Sequence, residues 1–290
     1  MTRRHHMLFV LFVILTPLSG MASPVGNIGD PLVWDYGPLQ LKGGPPLVLS
    51  VFYDTQTNRL PEQVTRFIWA DPTSVPLQDR HFQQTRSSRT ELTVMGIKLG
   101  VPFGDRVLVY GLAGSLEASI DFHYGDWTVW RSFEIDAHFE SDPDVFYGIG
   151  TSLILERFTY RDTLFTLGLD LSYRRYTIEQ DRLAEAGLSY ASTLDEIQLG
   201  FNLSADMNGF SPYLGVKVAS ITGTEDYIDR NGWTDYSGEG YIHYNQDIEW
   251  SKNVGYVMGV TTAIKGWFTL GLEARGGDEN ALGFNATTRF

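Results

Sequence analysis

Residues 165–173 read Phe165-Thr166-Leu167-Gly168-Leu169-Asp170-Leu171-Ser172-Tyr173, with every odd position large and apolar and every even one small or polar. A period of two belongs to a strand whose two faces meet unlike surroundings. Residues 196–207 repeat it: Ile197, Leu199, Phe201, Leu203, Ala205 and Met207 alternate with Glu196, Gln198, Gly200, Asn202, Ser204 and Asp206. Such runs are long for a soluble sandwich, whose strands seldom exceed about ten residues.

Working outward, the same alternation recurs at Thr93–Val101, Leu108–Leu116, Tyr147–Leu155, Leu214–Val218, Val254–Val260, Phe268–Leu272 and Leu282–Phe290, with a less regular set at Leu47–Asp54. That makes ten strands. The apolar set of each, Tyr110 and Leu112 among them, is expected to share one face. The other face then carries Gly96, Gly100, Gly111, Gly148, Gly150, Gly255, Gly259 and Gly271 among charges. In water such a sheet needs a second layer on its apolar side, and no amphipathic helical pattern supplies one. In a bilayer, lipid covers that side and the polar face lines an interior. The expected fold is all-β, a single antiparallel transmembrane β-barrel of about ten strands over residues 47–290. Twelve is the alternative, because Trp127, Val129, Phe133, Ile135 and Phe139 could extend or add strands.

Composition agrees. The 290 residues hold 30 glycines and many aromatics (7 Trp, 15 Tyr, 17 Phe), with no cysteine and a net charge of −13. The absence of cysteine excludes disulfides, thiolate metal sites and a cysteine nucleophile, and the acidity argues against nucleic acid as a partner. At the N-terminus, Arg3, Arg4, His5 and His6 precede the apolar run Leu8–Leu15, a helix-breaking Pro17 and the small residues Gly20 and Ala22. This pattern predicts a signal peptide of residues 1–22, cut after Ala22; its apolar run is too short to span a bilayer. Cleavage removes two arginines and no acid, taking the charge to −15. Residues 23–46, rich in proline, are expected to form a periplasmic leader.

Connection lengths alternate. Residues 58–87, 120–144, 179–193 and 224–247 read as long loops, and Phe103-Gly104-Asp105, Tyr160-Arg161-Asp162, Asn208-Gly209-Phe210 and Ile264-Lys265-Gly266 as tight turns. The short external connection at 276–280 is the exception. Long loops on one side and short turns on the other, with aromatics such as Phe103, Phe158, Tyr160, Phe210 and Trp267 beside the turns, mark a barrel in an asymmetric membrane.

With these features the chain resembles the Gram-negative outer-membrane β-barrel proteins over residues 47–290. The resemblance implies an outer-membrane location, lipid and lipopolysaccharide as surroundings, and assembly through the barrel-assembly machinery, which reads an alternating last strand ending in an aromatic. Here that strand is Leu282-Gly283-Phe284-Asn285-Ala286-Thr287-Thr288-Arg289-Phe290, so Phe290 is the expected assembly signal, although Thr288 stands where a large apolar residue is usual. A second likeness is shorter: Pro24-Val25-Gly26-Asn27 with Asp30-Pro31 is similar to the start of the chlamydial-type major outer-membrane porins, which are longer and rich in cysteine.

Face assignment places Lys98, Glu117, Glu156, Asp170, Arg174, Glu196, Asp206, Lys217 and Glu273 in the lumen, with Arg275 beside them. Either these groups line a hydrated pore or they pair and close a narrow one. The inward glycines suggest open space. Acids crowd two external loops, Asp121, Asp126, Asp136, Asp142 and Asp144 in one and Asp226, Asp229 and Asp235 in the other, forming an acidic rim. The expected function is a porin-like passive channel for small neutral or cationic solutes, without metal or cofactor. Divalent ions bridging rim carboxylates to lipopolysaccharide phosphate, and arginines 59, 66, 80 and 86 binding that phosphate, are further expectations. The alternative is a non-conducting barrel whose loops carry its role. A remoter one is a rim hydrolase of the omptin type, from the acid–histidine neighbours Asp121/His123, Asp136/His138 and His243/Asp247; the expectation is that the chain is not an enzyme.

Overall fold

The structure is a computed structural model, describing residues 25–30, 33, 46–69, 80–127, 132–180, 188–229, 242–264, 268–277 and 279–290. Eleven antiparallel strands follow in chain order: β1 (Val48–Trp69), β2 (Arg80–Phe103), β3 (Val107–Trp127), β4 (Ser132–Glu140), β5 (Asp144–Tyr160), β6 (Thr163–Gln180), β7 (Leu188–Asp206), β8 (Phe210–Asp229), β9 (Ile242–Ile264), β10 (Phe268–Gly276) and β11 (Asn280–Arg289). Each pairs with its neighbours, and β1 pairs with β11 from Val48–Arg289 to Thr57–Asn280, closing the sheet on itself. The barrel has ten staves rather than eleven, since β4 and β5 share one position. β5 covers Val107–Leu116 of β3 and β4 covers Ser119–Trp127 above it. The break falls at Ser141-Asp142-Pro143, where proline has no N–H to donate and the Ser141 N–H bonds to the Ala118 carbonyl at 2.7 Å.

In three segments read as long loops, the described residues are almost all strand. β1 runs to Trp69, β2 starts at Arg80, and β8 and β9 remain paired from Ile221–Trp250 out to Asp229–Ile242. Trp127 ends β3, and Phe133, Ile135 and Phe139 lie in β4 and add no stave, while Val129 lies outside the described residues. Beyond the bilayer both faces of a ribbon meet water, so the alternation that marks a strand disappears although its hydrogen bonds continue. At the other end the turns are tight. Arg161 and Asp162 (φ 47° and 65°), and Asn208 and Gly209 (φ 58° and 89°), occupy the left-handed region that two-residue hairpins require.

The outer face is apolar in a belt. Met95, Ile97 and Leu99 of β2, Tyr147 and Ile149 of β5, Leu270 and Leu272 of β10, and Leu282 and Phe284 of β11 are each between 41% and 58% exposed. No soluble monomer carries such a band, and lipid is the medium that accepts it. An Arg at Leu272, within this belt, should cost about 2–4 kcal/mol in reversible urea unfolding from vesicles, whereas Glu117→Arg should cost under about 1 kcal/mol.

Candidate functional site: the barrel lumen

Six of the nine expected lumen residues, Lys98, Asp170, Arg174, Glu196, Lys217 and Glu273, lie inside. Asp206 faces in but sits at the turn end, accepting the Gly209 N–H at 3.1 Å. Two are corrected. Glu117 is exposed on the outer face, because β3 is inverted relative to the sequence reading: Leu108, Tyr110 and Leu116 are buried inside and Gly111 is exposed outside. The interior needs bulk on this side, so the large set of β3 turns inward and the small one outward. Glu156 is also exposed, because a bulge between Ile154 and Glu156 inserts one residue and flips the face.

One ion-pair cluster joins β1, β8, β10 and the β10–β11 turn. Arg275, fully enclosed, donates to Asp54 at 2.6 Å, to Glu273 at 2.9 Å and, more closely still, to Glu279. Lys217 reaches Glu279 at 2.5 Å, Gln56 donates to Asp54 at 2.5 Å, and Tyr213 donates to Glu273 at 2.9 Å. Burial alone would raise the Glu279 carboxyl, but Arg275 and Lys217 outweigh it and hold that group below the usual carboxylate range. A second cluster pairs Arg174 with both oxygens of Glu196 at 2.9 Å, with the Tyr176 hydroxyl donating to the same carboxylate. In a third, Asp170 accepts from Tyr110 at 2.9 Å and Ser152 at 2.6 Å, while the Lys98 ammonium lies 4.0 Å away and 3.5 Å from the Tyr110 ring centre. Asp54, Glu279 and the three tyrosines escaped the sequence reading. Asp54 ends an irregular run, Glu279 lies in a turn, and the tyrosines resemble lipid-facing aromatics until the register is known.

Apolar side chains fill the opposite half of the lumen. Leu92 and Val94 of β2, Leu116 of β3, Phe146 of β5, Ile178 of β6, Leu194 of β7 and Ile221 of β8 form one buried cluster, with Phe146 between Phe52 and Tyr176. Together with the Arg275 cluster this layer draws on nearly every stave.

Nearer the turns, the lumen contains residues 25–30 and Val33, part of the segment 23–46 read as a periplasmic leader. The N–H groups of Val25 and Gly26 donate to Glu273 at 3.1 and 2.7 Å, Asn27 donates to Thr261 at 2.8 Å, Thr269 donates to Asp30 at 2.8 Å, and Arg289 donates to the Val33 carbonyl at 3.0 Å. Two glycines that suggested open space are its sockets. A Cβ on Gly168 would stand 2.4 Å from Ile28, and one on Gly200 2.8 Å from Val25. Between this inner segment and β1–β3 a cavity of about 90 Å³ remains, lined by Asn27, Ser50, Lys98, Tyr110, Arg174 and Asn285. It is large enough to hold water.

No family model matches the chain, and no curated protein matches it. Among solved structures it is similar to the outer membrane protease OmpT from Escherichia coli, at 8% identity over 87% of this chain and 96% of that one, with a TM-score of 0.51. A second similar structure is the outer membrane protein OprG from Pseudomonas aeruginosa, at 11% identity over 85% and 96%, with a TM-score of 0.41. The fold is that of an outer-membrane β-barrel.

In that frame the tight turns lie on the periplasmic side and the strand extensions outside. At the barrel's seam, Phe290 exchanges backbone hydrogen bonds with Leu47 at 2.8 and 3.0 Å. Of the expected rim, Asp121 is exposed, and Asp142 and Asp144 are half-buried at the β4–β5 break. Asp126, Asp136, Asp226 and Asp229 sit on the extensions of β3, β4 and β8, while Asp235 and the signal segment 1–22 lie outside the described residues. The register sets Asp121 opposite His138 and His123 opposite Asp136. It sets His243 opposite Ile228 and Asp247 opposite Thr224. The barrel's two charge environments give a direct check: Glu196→Gln, which strips Arg174 of its buried partner, should cost about 3–5 kcal/mol, and Glu156→Gln under about 1 kcal/mol, by urea titration in vesicles.

Proposed function

We propose that the protein is an outer-membrane barrel that does not conduct solutes, and that its role is carried by the parts outside the membrane, the extended β1–β2, β3–β4, β6–β7 and β8–β9 ribbons. One observation carries this reading: the lumen holds a packed apolar cluster around Phe146 and bridged charges around Arg275, with side chains drawn from nearly every stave. A ten-stranded barrel is narrow enough for side chains to close it. Of the two readings open from the sequence, a porin-like channel and a closed barrel presenting its exterior, the geometry favours the second. The likeness to chlamydial-type porins involves the same short segment that lies in the lumen and adds nothing to a channel. An acidic exterior suits association with lipopolysaccharide through divalent ions, with assembly directed by the Phe290 strand.

The test is recording in planar bilayers of folded protein, verified by heat-modifiable gel mobility. The expected record shows no stepwise conductance and no swelling of liposomes in small sugars. Unitary steps that scale with salt concentration would overturn the reading.

A second reading has a specific observation behind it, the backbone register that sets Asp121 opposite His138 and His123 opposite Asp136 in the β3–β4 ribbon. An acid and a histidine side by side can share a proton and activate water. If the exterior is hydrolytic, cleavage of a peptide library by whole folded protein should be lost in Asp121→Asn and His123→Ala; no cleavage by the unmodified chain removes it.

A further inference from the structure

Residues 25–30 are held in the lumen as a bound peptide would be held. The backbone of the first two residues is met by side chains of the wall: Glu273 accepts both N–H groups, and Asn202 donates to the Gly26 carbonyl at 2.8 Å. Val25 and Ile28, three residues apart, enter the hollows left by Gly200 and Gly168, and both are 4% exposed. Asn27 and Asp30 meet one threonine each, Thr261 and Thr269. The two glycines of the segment are also required. Gly26 has a φ of 71°, where a side chain would be strained, and a Cβ on Gly29 would lie 2.1 Å from Ser204 Oγ and 2.8 Å from Thr166 Cβ. Every one of the six residues is thus matched by the wall, in the order aliphatic, Gly, Asn, aliphatic, Gly, Asp.

We propose that the periplasmic half of the lumen is a peptide-binding site for this pattern, that residues 25–30 are its resident ligand, and that it binds the same sequence offered on a separate molecule once the resident segment is displaced. The contacts are non-covalent and come from β6, β7, β9 and β10, none adjacent in sequence to the segment. The apolar cluster around Phe146 contains none of the segment's residues. The site is therefore a pocket facing the periplasm, and its failure would show in binding, while failure of the closed-barrel reading would show in conductance.

Full-length Gly29→Val protein serves as the receptor, because the added side chain has no room and should expel the tethered segment while leaving the wall intact. Folded protein, checked by heat-modifiable mobility, is titrated into a fluorescein-labelled peptide of residues 24–34 and followed by anisotropy. Saturable binding to the Gly29→Val chain, at least about tenfold weaker binding to the unmodified chain whose site is occupied, and at least about tenfold weaker binding of a peptide carrying Gly29→Val are expected. Equal binding of the peptide to both chains, or none to a folded Gly29→Val chain, would overturn the proposal. If that variant does not fold, the unmodified chain with a protease site placed among residues 34–44 is folded and then cut. The released segment should stay with the barrel through gel filtration and exchange with excess labelled peptide; its immediate loss without uptake of peptide counts against the site equally.

Discussion

Arg275→Ala should remove at least about 3–5 kcal/mol from the unfolding free energy, because it strands Asp54, Glu273 and Glu279 in a space from which water is excluded. The cluster contains three carboxylates against the two cations Arg275 and Lys217, and only Lys217 would remain. Arg275→Lys keeps a charge but not the planar fork that reaches three partners at once, so it should recover only part of the loss. Lowering the pH, which neutralises stranded carboxylates, should narrow the gap between Arg275→Ala and the parent. Urea titrations in vesicles at two pH values read all of this; a deficit under about 1 kcal/mol, or one that widens in acid, would contradict the assigned pairing.

Phe146→Ala should cost about 3–5 kcal/mol, the range for losing a large ring from a packed core. Phe146 has no exposed surface and stands 6.2 Å from the Phe52 ring and 6.0 Å from that of Tyr176, at the centre of the apolar half of the closing layer. The cavity it leaves is apolar and should stay dry, so the variant should lose stability without gaining conductance. Phe146→Leu, which conserves most of the volume, should cost less. Denaturant titration gives the first expectation, bilayer recording the second. Steady current through Phe146→Ala would locate the barrier in that one ring instead of in the whole layer.

The lipid-facing rows of β2, β6, β7 and β11 were legible because a strand crossing a membrane must alternate, and the alternation survives in any register. β3 was misread for a reason that no single strand reveals. Leu108, Tyr110 and Leu116 are as large and apolar as a lipid-facing row, and Gly111 and Ala113 as small as a lumen-facing one. Only the pairing of Leu116 with Val94, itself inside, shows which way they turn. Glu156 was lost to a bulge, whose one extra residue leaves no trace in composition. The extensions of β1, β3, β8 and β9 were read as loops because strands wetted on both faces keep their hydrogen bonds and lose their pattern.

The inner segment was the least legible element. Val25, Gly26, Asn27 and Ile28 form no periodic element, and nothing near them in sequence marks Gly168 or Gly200 as their sockets. A glycine facing a lumen reads as space, and whether that space is empty depends on residues more than a hundred positions away.

By itself the sequence determined the period, the lipid-facing rows of most strands, the ten staves and the alternation of tight turns with long connections, because each follows from backbone geometry and from whether lipid or water is the neighbour, both local conditions. The tertiary structure alone decided which side chains meet inside the lumen. That depends on which charges meet across the barrel, which rings meet between staves, and whether residues 25–30 enter the glycine hollows. Those are contacts between segments far apart in the chain, and a pattern confined to one strand contains no term for them.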